Sequence, residues 1–336
     1  MRVDVLNPDG RDAPVDYRNG VGAPDARTHP PVNYWAYAAA TGGQFHQSVD
    51  AVRDPCDAVI VLLRRRNGPA IRAIERLKRA GRRVFVSWKE TGLHQIDQQT
   101  RWWWQRSSFH RALSIADGAV AATEASIERY RRDAPSQFPV HFIPTPYPVD
   151  VAGWDFSVSS GQRRGILVGT REFDVPSRRH EAALALAAEI ASRTKVPVTV
   201  MCGAPRDRDR VRKLLAGVEL TLVEQRLPYP DYLKMVARHR LVLQLDRSHV
   251  PGQVAGDALL CRTLCIGGNG TSEQIAFPEY AAMNDHAHEI EDAARVLLDD
   301  ADAYRAAIER SQRLAMDGLS FTWARRSLRS LSTATA

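Results

Sequence analysis

Residues 251–273, PGQVAGDALLCRTLCIGGNGTSE, decide how the second half of the chain folds. Small and apolar residues at 255–260 predict a short helix, with Asp257 as a lone carboxylate in its first turn. The apolar residues 264–266 predict a buried strand that runs directly into a glycine-rich loop. A short helix, a buried strand and a loop in this order are typical of an α/β domain.

The glycine-rich loop contains Gly267, Gly268 and Asn269, and we expect Thr271 or Ser272 to cap the helix that follows it. Backbone N–H groups at such a loop and helix start can bind an anion, and diphosphate is the commonest biological anion found there. The alternative is that the glycines only turn the chain, as in most strand-to-helix turns. The loop by itself leaves both interpretations open.

Length and hydropathy limit the class of protein. A chain of 336 residues exceeds the usual size of one domain, so we expect two domains with a cleft between them. No apolar run is long enough to cross a bilayer, and Met1 leads into an alternating strand pattern instead of a secretory leader. We therefore expect a cytoplasmic protein without a transmembrane segment.

Cysteine positions and charge are less specific. The four cysteines lie far apart or inside apolar patterns, which predicts small core residues instead of disulfides or metal ligands. They are Cys56, Cys202, Cys261 and Cys265. The formal charge of +7 suits nucleic acid, but no zinc finger, RNA-binding aromatic motif or lone helix-turn-helix pattern accompanies it. A basic cleft for a phosphate-bearing small substrate explains the charge equally well.

Both halves of the chain alternate apolar strands with helical patterns, which predicts parallel sheets covered on both faces. The expected strands are residues 3–6, 58–63, 83–88, 118–122 and 140–143, then 164–169, 198–202, 218–223, 241–245 and 264–266. The expected helices are residues 69–80, 124–131, 178–193, 206–216, 232–238, 287–298, 303–314 and 321–331. The proline-rich residues 144–150 are expected to link the halves. Ligands should then bind in the crevice at the carboxyl ends of the strands.

Four motifs occur in an order that resembles the nucleotide-binding half of a GT-B glycosyltransferase, most of all retaining family 4. They are ILVGTREFDVPSRRHEAALAL (166–186), PYPDYLKMVARHRLVLQL (228–245), GDALLCRTLCIGGNGTSE (256–273) and FTWARRSLRSL (321–331). The resemblance implies two Rossmann-like α/β domains facing a cleft, with a closing helix that crosses back. The implied limits are 1–150 for an acceptor domain, 151–318 for a nucleotide-sugar donor domain and 319–336 for the crossing helix.

The resemblance also implies roles for residues of the second half. Arg171 and either Arg178 or Arg179 match two basic residues that grip the donor diphosphate, as arginine can with bidentate bonds. Asp257 matches a glutamate that accepts hydrogen bonds from the donor ribose, although a helix N-cap is a competing role for it. The loop formed by Gly267, Gly268 and Asn269 matches the family's loop near the sugar and phosphates. A solvated helix face remains the alternative for Arg179.

His249 departs from the family pattern. It stands eight residues before Asp257, where the family has a glutamate that contacts the donor sugar, and Gly252 keeps the glycine between them. His249 can donate a hydrogen bond to a sugar hydroxyl or to phosphate, and it can carry charge near neutral pH. The alternative is an exposed loop histidine. Because of this departure, the family's usual sugar does not carry over to this chain. The expectation of activity is weakened to a smaller degree.

The first half resembles the family only in plan. Asn19, in a long polar loop with two glycines, is the nearest equivalent of the family's glycine loop. VFVSWKETGLHQ (84–95) occupies the place where the family carries a residue facing the reacting carbon. Lys89, Glu90 and His94 are therefore candidates to activate the acceptor or contact the leaving group. Lys89 and Glu90 could equally form a surface ion pair.

Three adjacent tryptophans, Trp102, Trp103 and Trp104, form the strongest aromatic cluster. Three successive residues of a helix cannot all face one core, so we expect at least one ring to be exposed and the others to pack in the core. An exposed tryptophan can stack on a sugar or lie at a membrane interface. Trp103 is accordingly a candidate acceptor contact, and peripheral membrane contact is possible. Asp300 and Asp302 lie between helices, where we expect a solvated turn and no metal site.

Together these features predict a hexosyl- or related glycosyl-transferring enzyme. It would use a nucleoside diphosphate sugar, with a UDP-sugar as the default donor, and an unidentified acceptor, with retention and without a metal or other cofactor. A sugar-nucleotide epimerase of the same fold is one alternative. A catalytically inactive GT-B binding or partner subunit is another, which the His249 departure permits. Nucleic-acid binding is a distant third, and we expect no nucleic-acid partner.

Overall fold

A computed structural model of the protein describes the backbone of residues 1–333 apart from 9, 65, 90, 91 and 171, and their side chains apart from 284, 332 and 333. The described chain forms two β-sheets that are parallel apart from one edge strand, and helices cover each of them. The predicted α/β fold class with two Rossmann-like domains is confirmed. None of the described helices is both long and apolar enough to span a bilayer.

The first sheet has seven strands. In chain order they are β1 (Val3–Leu6), β2 (Val15–Asp16), β3 (Gln44–His46), β4 (Ala58–Leu63), β5 (Val84–Trp88), β6 (Gly118–Ala121) and β7 (Val140–Phe142). Their order in the sheet is β2-β3-β1-β4-β5-β6-β7, and only the edge strand β2 is antiparallel to its neighbour. Every residue of β4, AVIVLL, is buried because helices cover both faces of a parallel sheet.

Five helices belong to this sheet: α1 (Trp35–Thr41), α2 (Gly68–Arg79), α3 (Leu93–Gln99), α4 (Trp103–Ile115) and α5 (Glu124–Asp133). The buried residues of α1 belong to the core on one face of the sheet, and those of α2, α4 and α5 belong to the core on the other. The sequence did not indicate β2, α1 or β3, which lie in the segment expected to be a long polar loop. Six of the seven residues of α1 are buried, so it has no amphipathic pattern to reveal it.

The second sheet has five strands: β8 (Ile166–Val168), β9 (Val198–Met201), β10 (Leu220–Val223), β11 (Leu241–Leu243) and β12 (Leu264–Ile266). All are parallel, in the order β10-β9-β8-β11-β12. The helices that follow them are α6 (His180–Thr194), α7 (Pro205–Leu214), α8 (Tyr229–Ala237), α9 (Gln253–Leu260) and α10 (Thr271–Ala276). All five strands were predicted, with bounds that differ by up to two residues at either end.

The last part of the chain is helical, as predicted. It contains α11 (Pro278–Ala282), α12 (Ala287–Asp299), α13 (Ala301–Gly318), α14 (Phe321–Leu328) and α15 (Ser330–Thr333). The expected turn at Asp300 is a helix cap, since its carboxylate accepts hydrogen bonds from the Asp302 and Ala303 N–H groups at 2.8 and 2.9 Å. Buried residues of α14 join the core of the first sheet, so this helix crosses back to the first domain.

The linker between the sheets is anchored at Tyr147. Its N–H donates to the Leu319 carbonyl at 2.7 Å, and its hydroxyl donates to the Gln253 carbonyl at 3.2 Å. The ring of Tyr147 also lies against Gly256 in α9, where an added Cβ would overlap it. Asp150, at the end of the linker, accepts hydrogen bonds from the Phe321 N–H at 2.9 Å and from its neighbour. The linker, α9 and α14 are thus held together.

Two predicted helix starts are wrong. Asp257 lies in the second turn of α9, because this helix begins at Gln253 with Gly252 at its N-cap in a left-handed conformation (φ 87°). Asp257 is therefore not a helix N-cap, which was the alternative to a role in ribose binding. Helix α10 begins at Thr271 and its N-cap is Gly270, with no side-chain cap. In both places a glycine occupies the N-cap position where a polar capping side chain was expected.

Replacing Gly256 by alanine should destabilise the protein. The new methyl group would overlap the Tyr147 ring, which is fully buried and has little room to move. We expect Gly256→Ala to lower the free energy of unfolding by about 1–3 kcal/mol, measured by chemical denaturation. Gly161→Ala is the matched control, because nothing lies within 4 Å of an added Cβ there. In a Tyr147→Ala background the cost of Gly256→Ala should shrink; an unchanged cost would contradict the overlap as its cause.

Candidate functional site

The carboxyl ends of β8, β11 and β12 lie side by side in the second sheet, and the loops that leave them form one site. The loop after β11 carries Asp246 and His249, and the loop after β12 carries Gly267 to Gly270. The Asn269 N–H donates to the Asp246 carbonyl at 2.9 Å, which holds these two loops together. Polar groups from three strands therefore converge at one edge of the sheet, where parallel α/β folds bind ligands.

Arg178 is held at this edge by carboxylates. It ends a short 3-10 turn (Pro176–Arg178) after β8, and its guanidinium forms an ion pair with the buried Asp246. A second carboxylate, Glu172, lies 3.4 Å from Arg178 Nε. The hydroxyls of Ser177 and Ser248 are hydrogen-bonded at 2.8 Å, which joins the same two loops beside the ion pair. Asp246 therefore fixes the position of Arg178.

Arg179 and Arg247 add positive charge beside Arg178. Arg179 is the N-cap of α6, with φ 47°. Burial lowers the pKa of Arg247, and the like charge of Arg179 lowers it further, so these two guanidinium groups lie near one another. Arg247 also forms an ion pair with Asp285. Arg171, the other candidate for the diphosphate, lies outside the described residues.

His249 and Asn269 are paired. The His249 N–H donates to Asn269 Oδ1 at 3.0 Å, and Asn269 Nδ2 lies 3.1 Å from His249 Nε2. The backbone of His249 is left-handed (φ 48°), a conformation that is uncommon for residues other than glycine. The structure thus brings these two predicted residues together, and Asn269 contacts both the backbone and the ring of His249.

Gly267 and Gly268 shape the loop after β12. Both are left-handed, with φ 75° and 82°, and a Cβ added to Gly267 would overlap the Gln244 carbonyl oxygen. These positions therefore need glycine for the turn and for the close approach to β11. Gly270 is constrained too, since a Cβ there would overlap the carboxylate of Glu273.

Glu273 lies beneath this loop and is 1% exposed. Its Oε1 accepts a hydrogen bond from Gln244 Nε2, and its Oε2 has no hydrogen-bond partner within the described part of the chain. Burial raises the pKa of Glu273 to about 8, and the nearby Asp246 carboxylate adds to the rise. This side chain therefore takes up a proton near neutral pH and carries little negative charge below the loop.

The two domains meet directly at this site. The Leu93 N–H at the start of α3 donates to the Ser248 carbonyl at 3.1 Å. An added Cβ on Gly92 would lie 3.1 Å from Val250, so the backbone of this segment packs closely against the His249 loop. Asn33 Nδ2 donates to Gln253 Oε1, at the start of α9, at 3.4 Å. The segment that follows β5 therefore faces the loops of the second sheet.

The candidates from the first domain are only partly brought to this contact. Lys89 directly follows β5 and its ammonium forms an ion pair with Asp12, not with a neighbour in sequence. His94 lies in the first turn of α3 but is exposed, and its Nε2 is 2.9 Å from Gln98 Nε2. Glu90 lies outside the described residues. Lys89 thus sits at the carboxyl edge of the first sheet, at the beginning of the segment that touches the second domain.

Asp257 is buried between α8 and α9 and is 2% exposed. Its Oδ1 accepts a hydrogen bond from the Tyr229 hydroxyl at 2.5 Å, and Tyr232 also hydrogen-bonds the carboxylate. Burial raises the pKa of Asp257 to about 7, against the lowering effect of the two tyrosines. The structure therefore gives this carboxylate partners within the protein, on the side of α9 that faces α8.

The two weak acceptor candidates lie away from this contact. Asn19 follows the edge strand β2, in a turn closed by a hydrogen bond of 2.9 Å from the Gly20 N–H to the Tyr17 carbonyl. Because β2 is antiparallel to β3, this turn lies at the amino end of the parallel strands. Trp103 is 80% exposed at the start of α4, and both neighbouring tryptophans are about half exposed, which corrects the expectation that two rings pack in the core.

Sequence reasoning missed the buried polar partners of the site, Asp246, Gln244 and Glu273. Asp246 and Gln244 directly follow an apolar strand, and this position at a strand end is the signal that could have indicated them. Glu273 stands in the motif GGNGTSE, but nothing in the sequence shows that its side chain is buried. The cysteines are as predicted: Cys202, Cys261 and Cys265 are buried, Cys56 is partly buried, and all four are free.

No protein-family model and no curated protein sequence matches the chain. Solved structures do, among them sucrose-phosphate synthase from Thermosynechococcus elongatus, with a TM-score of 0.62, 13% identity and coverage of 99% of this chain and 98% of that one. A UDP-forming α,α-trehalose-phosphate synthase from Burkholderia xenovorans gives 0.56 at 11% identity, covering 89% and 78%. S. aureus TarM in complex with UDP gives 0.60 at 12% identity, covering 89% and 59%. This likeness shows that the chain has the two-domain GT-B fold of these glycosyltransferases.

Replacing Glu273 by glutamine should change how stability depends on pH. The folded pKa of about 8 lies above the ordinary value of 4.5, so the contribution of Glu273 to the free energy of unfolding is fully present below about pH 4.5 and is lost as pH rises through 8. Between about pH 5 and pH 8 we expect the free energy of unfolding to fall by about 3 kcal/mol from this group. Chemical denaturation should show this fall in the wild type and a smaller one in Glu273→Gln.

The exposed Glu309 provides the control for this experiment. Glu309→Gln makes the same substitution at an exposed side chain, so the pH dependence of this variant should follow the wild type. Parallel pH profiles for the wild type and Glu273→Gln would show that Glu273 ionises as freely in the folded protein as in the unfolded chain.

Proposed function

We propose that this chain is a retaining glycosyltransferase of the family 4 kind. It transfers a sugar from a nucleoside diphosphate sugar to an acceptor hydroxyl, without an essential metal. The observation that carries the proposal is the hydrogen bond between the Leu93 N–H and the Ser248 carbonyl. It supports the proposal because it joins Leu93 of the first domain to the loop after β11, which carries Asp246 and His249.

The diphosphate of the donor is assigned to the basic edge of the second domain. Arg178 and Arg179, with Arg171 before them, offer charge-assisted hydrogen bonds to phosphate oxygens. Helix α9 has Gly252 at its N-cap, no side-chain cap and no acidic residue in its first turn, so the N–H groups of this turn favour an anion. These groups would stabilise the charge that develops on the departing diphosphate, a task that a divalent ion performs in other transferases.

The sugar is assigned to the loops of His249 and Asn269. Asn269 holds the histidine in a left-handed backbone conformation at the edge of the site, and a histidine side chain can donate to a sugar hydroxyl. Backbone N–H groups of Gly267 and Gly268 are the further candidates here. The acceptor is assigned to the opposite side, where Lys89, Glu90 and His94 are the candidates to contact the acceptor hydroxyl or the leaving group.

Uridine diphosphate sugars are the first donors to test. The trehalose-phosphate synthase from Burkholderia xenovorans is UDP-forming, and the TarM structure contains UDP. Bound donor should stabilise the native state by mass action, so a thermal-shift screen over UDP, GDP, ADP and dTDP sugars identifies the base. A screen in which no donor raises the melting temperature would count against the proposal.

The burial of Asp257 favours a second candidate function. In family 4 the residue at this position binds the donor ribose, whereas here two tyrosines hydrogen-bond the carboxylate and it is 2% exposed. A GT-B binding or partner subunit that lost catalysis would tolerate this arrangement. Both functions predict nucleotide binding, so only the formation of a glycosylated product separates them. Conversion of a UDP-sugar to an isomer without acceptor would indicate the epimerase alternative.

Removing a basic residue at this edge should weaken turnover strongly. We expect Arg178→Ala and Arg171→Ala each to lower kcat/KM by about a hundredfold, measured as nucleoside diphosphate released from the donor identified in the screen. Arg178→Lys should retain more activity than Arg178→Ala, because it keeps the charge and loses only the bidentate geometry.

Arg193→Ala is the matched control, since Arg193 lies at the opposite end of α6 and pairs with Glu189 and Glu291. It should leave kcat/KM unchanged. Because Arg178→Ala removes the ion pair between Arg178 and Asp246, the melting temperature of each variant must accompany its activity. Near-normal turnover of a folded Arg171→Ala or Arg178→Ala variant would refute the diphosphate assignment.

A further inference from the structure

The tryptophans at the start of α4 form an exposed aromatic surface. Trp102, Trp103 and Trp104 are 52%, 80% and 47% exposed. The other large apolar side chains exposed in the described chain, Phe142, Val296 and Met316, are distant from them in sequence. Each exposed tryptophan ring costs free energy in water, so three in succession indicate a surface that contacts something other than water.

This tryptophan surface, residues 102–104, lies at the end of the first domain that carries the cleft. Helix α4 returns the chain from the carboxyl end of β5 to the amino end of β6. Its far end is fixed there, because the Asp117 N–H donates to the Val84 carbonyl at 2.8 Å, at the start of β5. A helix of 13 residues is about 20 Å long, so its first turn lies toward the opposite, carboxyl end of the strands.

Positive charge accompanies the tryptophan surface. The Arg101 guanidinium lies 5.2 Å from the centroid of the Trp102 ring. Arg106, one turn into α4, and Arg132 of α5 share a single carboxylate, the largely buried Asp133. The first turn of α4 contains no acidic residue. Three arginines therefore stand against one buried carboxylate beside the rings, which leaves this region with an excess of positive charge.

The arrangement suits a bilayer better than a sugar or a protein groove. Successive residues of a helix differ in direction by about 100°, so the three rings cannot stack on one sugar or enter one narrow groove. A lipid–water interface accepts aromatic rings in many directions, and tryptophan is the residue most typical of that interface together with tyrosine. Arginine beside the rings complements the phosphates of anionic lipids.

We propose that the tryptophan surface, with Arg101, Arg106 and Arg132 around it, binds peripherally to an anionic phospholipid bilayer. The rings enter the headgroup region from the start of α4, and the arginines contact lipid phosphates. Because this surface lies at the cleft end of the first domain, the cleft opens near the membrane. This binding requires neither nucleotide nor sugar, so it goes beyond the proposed function and is tested separately from it.

The test is co-sedimentation of the full chain with vesicles of phosphatidylcholine, with and without phosphatidylglycerol, at low ionic strength. The wild type should bind the vesicles that contain phosphatidylglycerol, and salt should weaken this binding. We expect Trp102→Ser/Trp103→Ser/Trp104→Ser to weaken binding by more than about tenfold. Each arginine replaced by glutamine should weaken it up to about fivefold. Val296→Ser/Met316→Ser is the matched control and should bind like the wild type.

Two further measurements keep the result interpretable. Trp103→Ser alone, at the most exposed ring, should retain the wild-type melting temperature and still lose part of the binding. Brominated lipids should quench part of the tryptophan fluorescence of the wild type, and the triple variant should lose this quenching. Quenching that persists in the triple variant would place another tryptophan in the bilayer and overturn the proposal.

Four other outcomes would also overturn it. They are no binding of the wild type to anionic vesicles, equal binding to neutral vesicles, unchanged binding of the triple variant, and lipid-independent self-association that the triple variant abolishes. The last would identify the tryptophan surface as an interface between two copies of the chain. Light scattering at several protein concentrations detects it.

Discussion

The ring of Tyr147 occupies the space that a side chain at position 256 would fill, and this contact packs the linker between the domains against α9. The same tyrosine bonds the Leu319 carbonyl through its N–H and the Gln253 carbonyl through its hydroxyl. One residue of the linker is thereby fixed to α9 and to the start of the crossing helix α14. Helix α9 begins at the cleft. The Tyr147 ring therefore fixes both the linker and the start of α9, which faces the first domain.

The electrostatics of the cleft follow from burial around α9. Glu273 lies under the loop beside the start of this helix, and Asp257 lies against α8, both almost without solvent. Burial raises their pKa values to about 8 and about 7, so near neutral pH they carry less than their full negative charge. The carboxylates paired with the arginines at this edge are then Asp246 and Glu172, with Arg178, and Asp285, with Arg247. Burial therefore limits the negative charge that these two carboxylates bring to the cleft.

The sequence predicted most of the strands and helices of this fold, but it did not predict the features that depend on contacts between distant residues. Continuous apolar runs such as AVIVLL predict buried parallel strands directly. Helix α1 is buried on nearly every side and short, so it lacks periodicity, and two glycine caps stood where polar caps were expected. Within the site, the pattern indicated Arg178, His249 and Asn269. It could not reveal that Asp246 pairs with Arg178 or that Glu273 is buried beneath the glycine loop, because burial and pairing arise only when distant loops meet.

The parallel topology explains why the site and the tryptophan surface occur at the same end of the first domain. In both sheets the loops that leave the carboxyl ends of the strands gather at one edge, and these loops are free to vary because they do not form the core. The segment between β5 and β6 has two such variable features. Gly92 and Leu93, which precede α3 or begin it, touch the second domain, and after α3 the same segment exposes Trp103. The segment between β5 and β6 therefore carries both a contact with the second domain and the tryptophan surface. Any partner of those rings would lie beside the entrance to the cleft.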